Sequence, residues 1–181
     1  LTAKTVQTFT NMSGRSLSYT IASYYNELYQ LVVAGDSATV YRAELPSSDS
    51  MDTVKSKMIA KLSLAKDVAF AGFSPREQRF VYIQNGRDIV TYDLELSSIA
   101  TVAPSAALNA KIGWLDDFHL LSTADGTVEF MDYDGTNMQT LARNASYAAT
   151  LLAGNDKFFY YFTRDEAAGT VRLMRLSLTT E

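Results

Sequence analysis

The sequence predicts an all-β chain built from four similar units, and three observations carry that prediction. The first is the stretch 107–142, ALNAKIGWLDDFHLLSTADGTVEFMDYDGTNMQTLA, which divides into four short β-prone runs separated by turn residues. Weaker versions of it recur three times in the chain. The second is a shared register. Val40, Ile89, Val128 and Val171 open the third run of each unit, and Leu45, Leu94, Tyr133 and Leu176 stand five residues later. The successive separations are 49, 39 and 43. The third is that the second runs, LVV, FVYI, LL and FFYYF, are apolar without alternation. A strand with one wet face alternates, so these runs are expected between stacked sheets. A period near 40 with four strands per unit is the pattern of β-propeller blades.

Taken in order, the units are 13–63, 65–104, 105–143 and 144–181. KTVQTFT (4–10) precedes them as a lone strand. It is expected either to complete the last blade of a closed four-bladed ring or to end a preceding blade of a larger one. The first unit has LSYTIAS (17–23), LYQLVVA (28–34) and TVYRAEL, with turns at YYNE and GDS, and MIAKL (58–62) as its fourth strand. The polar run PSSDSMDTVKSK (46–57) interrupts it and accounts for the longer first separation; a solvated surface loop is expected there. The second unit reads DVAFAGF, FVYI, DIVTYDL and IATV, with SPREQ and QNGR as turns. The third reads AKIGWL, FHLLST, TVEFMDY and MQTLA; its Ala-Asp-Gly and Asp-Gly-Thr-Asn turns use glycine where the backbone needs positive φ. The fourth supplies only YAATLLA, KFFYYFT and TVRLMRLSL.

Composition narrows the function classes. The chain has 181 residues, 47% of them hydrophobic and 20% charged, which is enough for one domain with a sizeable core. A net charge of −4 gives no basic field for a phosphate backbone, so nucleic acid is not an expected partner. With no cysteine there is no disulfide, thiolate metal site or thiol nucleophile. No apolar run reaches the ~18 residues of a spanning helix, so no membrane insertion is expected within this chain. It starts at Leu1, as a processed chain or a fragment would, and any anchor is expected upstream. No Walker loop or dinucleotide-binding glycine pattern occurs, and no cofactor or metal is expected.

His119 is the only histidine and is expected on a second strand, bonded to a neighbouring carbonyl. Asp116, Asp117 and Asp125, with Asp132 and Asp134 nearby, form the one carboxylate cluster at turns. Carboxylates in pairs do glycosidase acid–base work or hold calcium. They also cap turns, and no distal glutamate of a calcium loop follows Asp132-Tyr-Asp134-Gly. The aromatics fall on strands (Tyr24, Tyr25 and Tyr29; Phe80, Tyr82 and Tyr92; 158–162), as packing between blades requires. Trp114, at the end of a first strand and near the ring's axis, joins Asp116, Asp117 and the 46–57 loop as the candidate binding surface.

Phe73-Ser-Pro followed by FVYI and DIVTYDL resembles the blade consensus of TolB-type, WD-repeat-like bacterial propellers. DYDGTNMQTL (132–141) resembles that family's turn between third and fourth strands. Trp114-Leu-Asp-Asp with DGTVEFMDYDGTN resembles the propellers that follow PEGA domains in bacterial envelope proteins. The resemblance covers residues 65–178 and implies an extracytoplasmic location. It also departs from the pattern, with Arg-Glu-Gln-Arg in the second unit where Asp-Gly and a basic residue are usual. The expected function is a non-catalytic binding or scaffolding module whose partner is another protein or a cell-envelope component. The alternatives are a carbohydrate-active or hydrolytic propeller using the acidic loops, and a purely structural spacer.

Overall fold

The structure is a computed structural model that describes residues 16–43, 56–64, 68–85, 88–102, 111–124, 126–143, 145–152, 157–165 and 167–178. The described residues are strands and turns, without helix. They form successive antiparallel meanders, the architecture of propeller blades, so the all-β expectation holds. Contacts divide the chain into two compact units, Leu1–Ile99 and Ala100–Glu181.

In the first unit, β1 (Leu17–Tyr24), β2 (Glu27–Ala34), β3 (Ser37–Ala43) and β4 (Ser56–Ser63) pair in that order. Tyr25 and Asn26 make the β1–β2 turn with φ of 47° and 60°. Two consecutive left-handed residues are what a tight hairpin needs to match strand twist. β2 buries five residues in a row, Tyr29 to Val33, as its continuous apolar run predicts. The second sheet is β5 (Val68–Phe73), β6 (Phe80–Asn85), β7 (Asp88–Asp93) and β8 (Ser98–Val102). One face of each sheet joins the same core: Leu31, Val33, Ala38 and Val40 pack with Val81, Ile83, Tyr92 and Leu94. Each fully buried aliphatic side chain there contributes about 1.5–3 kcal/mol.

The second unit holds β9 (Lys111–Trp114), β10 (His119–Ala124), β11 (Thr127–Asp132) and β12 (Gln139–Arg143). A sheet of β13 (Ala145–Leu152), β14 (Phe158–Asp165) and β15 (Thr170–Ser177) follows. Leu121, Val128, Ala142 and Phe159 form its core, with Tyr161, Leu176 and Leu178 against them. The β3–β4 and β11–β12 pairs both slip register just after the repeat valine, between Val40 and Tyr41 and between Val128 and Glu129. In both pairs the extra residue is on the fourth strand, Ile59 in β4 and Leu141 in β12, so an irregularity kept at one repeat position bends both fourth strands alike.

The structure corrects the sequence in three places. In three sheets one backbone bond marks the end of the third strand: Leu94 N–H to Arg79 C=O, Tyr133 to Phe118, and Leu178 to Lys157. The counterpart of Ile89 and Val128 is therefore Leu173, two residues later than the apolar pattern places it. Thr-Val-Arg-Leu alternates, so the pattern fits either valine or leucine equally well. The 46–57 insertion loses Ser56 and Lys57 to β4; its other residues lie outside the described ones, as do the 4–10 strand, Gly86, Asp125 and Gly154-Asn155-Asp156. His119 opens β10 as expected, but its ring meets carboxylates rather than a carbonyl.

Candidate functional site

Each four-stranded meander turns twice at one end of its sheet, between first and second strands and between third and fourth. In the third sheet these turns are residues 115–118 and 133–138, and they carry the candidate residues. Asp116 Oδ1 accepts the backbone N–H groups of Phe118 and His119, both at 2.8 Å. This is the local cap that aspartate makes in a short turn. The same carboxylate holds His119 Nδ1 at 2.8 and 2.9 Å. His119 pairs across the strands with Asp132, whose Oδ1 lies 3.6 Å from Nε2. The imidazole thus bridges the two turns, with a carboxylate facing each ring nitrogen.

The second turn is tied by its own side chains. Asp132 Oδ2 accepts Asn137 Nδ2 at 2.6 Å, and Asp134 Oδ1 accepts the Thr136 N–H and hydroxyl at 2.9 and 2.7 Å. Gly135 has φ of 84°, and a Cβ added there would stand 2.9 Å from Val102 Cγ1. Only glycine fits both constraints. The carboxylates of Asp116, Asp132 and Asp134 act here as turn caps, and among the described residues no His/Asp/Glu cluster is arranged to hold a metal. Trp114 ends β9, half-buried, and Asp117 is buried at 6% exposure. The partners of Asp116 hold the loop's shape. The large apolar side chains exposed at this end are Phe118 and Met138.

The second sheet repeats the device with different chemistry. Phe80 and Asp93 occupy the cross-strand position of His119 and Asp132. Asp93 is fully buried and takes both forks of the Arg79 guanidinium, at 3.0 and 2.7 Å. Its Oδ1 also accepts the N–H groups of Glu95 and Leu96 at 2.9 and 3.2 Å. Burial pushes the Asp93 carboxyl up, but Arg79 and the two backbone donors outweigh it and hold it below its ordinary value. Bonding to Asp93 raises Arg79 in turn. Glu95 pairs with Arg79 and accepts the Tyr24 hydroxyl at 3.1 Å, which ties the first sheet to the second. Sequence reasoning passed over this clamp. The signal was present: an aspartate ends the third strand in both units, and a basic or aromatic residue opens the second.

No protein-family model matches the sequence, and comparison with curated proteins finds no relative. Among solved structures the chain is similar to prolyl oligopeptidase B from Galerina marginata, with 14% identity and a TM-score of 0.50. That match covers 91% of this chain and 25% of the other. The N-terminal domain of Nup159 matches at 18% identity and a TM-score of 0.47, over 88% of this chain and 44% of that one. A chain of a nidogen/laminin complex matches at 14% and 0.43, over 77% and 59%. These are β-propeller proteins. This chain spans between 25% and 59% of their lengths.

Proposed function

We propose that the chain is a non-catalytic protein-binding propeller module that recognises its partner with the turns of its blades. The observation that supports this reading is the clamp repeated in two sheets. Asp116–His119–Asp132 spends its charges on holding turns rigid while Phe118 and Met138 stand exposed on them, and Arg79–Asp93–Glu95 does the same at the turn that exposes Leu96. Rigid turns with apolar tips lose little entropy on docking, and apolar anchors contribute most of the affinity at such surfaces. By the family resemblance, the partner is another protein or a component of the bacterial cell envelope, outside the cytoplasm.

The test identifies envelope proteins that co-purify with the chain and measures the affinity of each purified partner by calorimetry. Phe118→Ser and Met138→Ser are expected to weaken binding at least about tenfold. Trp114→Ala, Asp116→Ala and Asp117→Ala are expected to weaken it by disordering the turn beneath them. Unchanged affinity in all five variants removes the assignment. Turnover of a glycoside or ester substrate that Asp116→Ala abolishes would establish the hydrolytic alternative instead.

A further inference from the structure

Among the described residues, the last sheet ends on a strand whose side chains are exposed at a position the repeat seals elsewhere. Val40, Ile89 and Val128 are each 0% exposed, whereas Leu173 at the same repeat position is 61% exposed. Val171 and Met174, on opposite faces of β15, are 50% and 38% exposed. The other third strands each lie between a second and a fourth strand; β15, among the described residues, is the edge of its sheet. Leu173 also faces away from the core formed by Phe159, Tyr161 and Leu176, so it lacks a cover on two sides. On the side away from β14, residues 171–176 present backbone donors and acceptors at strand spacing, a template for one more extended chain.

The charge on this edge selects among occupants. Arg172 and Arg175 are exposed, and β15 contains no acidic residue. Arg175 is held over the Phe158 ring at 4.6 Å, which fixes a positive charge on one face. Residues 1–15 of the chain carry Lys4 and Arg15 and no acidic residue, so they match this edge poorly. Two copies of β15 would set four arginines along one seam with no acidic residue on either strand to offset them, which disfavours that pairing. We propose that β15 takes up an extended acidic peptide segment of a partner protein as a fourth strand, antiparallel to it. Val171, Leu173 and Met174 then contact the apolar positions of the incoming strand, and Arg172 and Arg175 its carboxylates. This surface shares no residue with the turn-borne site above.

The probe is a short fluorescein-labelled Val-rich peptide with two Glu three residues apart, so that one carboxylate falls on each face of the added strand, titrated into the full chain and read by anisotropy, with hydrogen exchange on the same samples. Saturable binding is expected, weakening as salt is raised. The double variant Arg172→Glu/Arg175→Glu should weaken it at least about tenfold, and a peptide N-methylated along one edge should not bind, because strand addition needs its N–H groups. Alternate amides of residues 171–176 should exchange fast in the free chain and slowly with peptide. Equal binding of a peptide with Lys in place of Glu, or of the N-methylated peptide, overturns the proposal. So does slow exchange of every amide in 171–176 without peptide at monomer mass, which would mean that the chain covers this edge itself. Slow exchange at dimer mass would assign the edge to a second copy and overturn it equally.

Discussion

Removal of the Arg79 guanidinium is the sharpest perturbation of the fold. Arg79→Ala leaves Asp93 with no exposed surface and with two backbone N–H donors as the remaining bonds described for it. Breaking a buried pair by deleting one partner costs about 3–5 kcal/mol. Arg79 is partly exposed (19% of its side chain) and the two backbone bonds persist, so the lower end, about 3 kcal/mol, is expected. For a chain of this length that is a fall of roughly 6–12 °C in Tm. The assay is urea unfolding of the wild type, Arg79→Ala, Asp93→Asn and the double variant, with the coupling energy taken from the cycle.

The pH dependence follows from the same pair. Asp93 is held below its ordinary value of 3.8, so its contribution is present above that pH and is lost as pH falls through the lower folded value. The difference between wild type and Arg79→Ala should therefore shrink on acidification below pH 3.8. A cost under about 1 kcal/mol at neutral pH, with an unchanged m-value, would refute the reasoning by showing a solvent-screened pair.

Three further outcomes are expected. Gly135→Ala should destabilise by about 1–3 kcal/mol in urea unfolding, since a Cβ meets Val102 and the left-handed backbone resists it; a neutral effect would mean that the turn relaxes. Asp116→Ala should cost about 1–2 kcal/mol, with faster amide exchange at Phe118 and His119, while Asp116→Asn retains part of the cap. Burial pushes Tyr24, Tyr29 and Tyr82 up to about 12, aided in Tyr24 by Glu95 and in Tyr29 by Glu27. Their contribution is whole below pH 10 and lost as pH rises toward 12, so absorbance titration should show a late tyrosine class that coincides with alkaline unfolding. Titration of these three with the exposed tyrosines would count against their burial.

The turn site was half legible. Asp116 and its neighbours stood out because carboxylates beside glycine mark turns, and turns are local. That Asp117 is buried, that Asp116 grips His119, and that Asp132 meets the same ring across the strand pair could not be read from spacing alone. Each depends on which face of a strand a residue takes, and a bulge or a shift of one residue reverses it. Arg79 and Asp93 illustrate the same limit, being the last residue of the Arg-Glu-Gln-Arg segment and a residue of the DIVTYDL run in sequence but a buried fork in the fold.

What the sequence by itself determined is the all-β class, the order and approximate bounds of the strands, and the blade period. Those follow from short-range rules: period-two alternation, apolar runs and turn chemistry, which act within a few residues. What only the tertiary structure decided is the register of the last blade, the partners of the charged groups, and the exposure of Leu173 where its three counterparts are sealed. Those depend on cross-strand pairing and on the stacking of one sheet against another, in which residues tens of positions apart fix one another's environment.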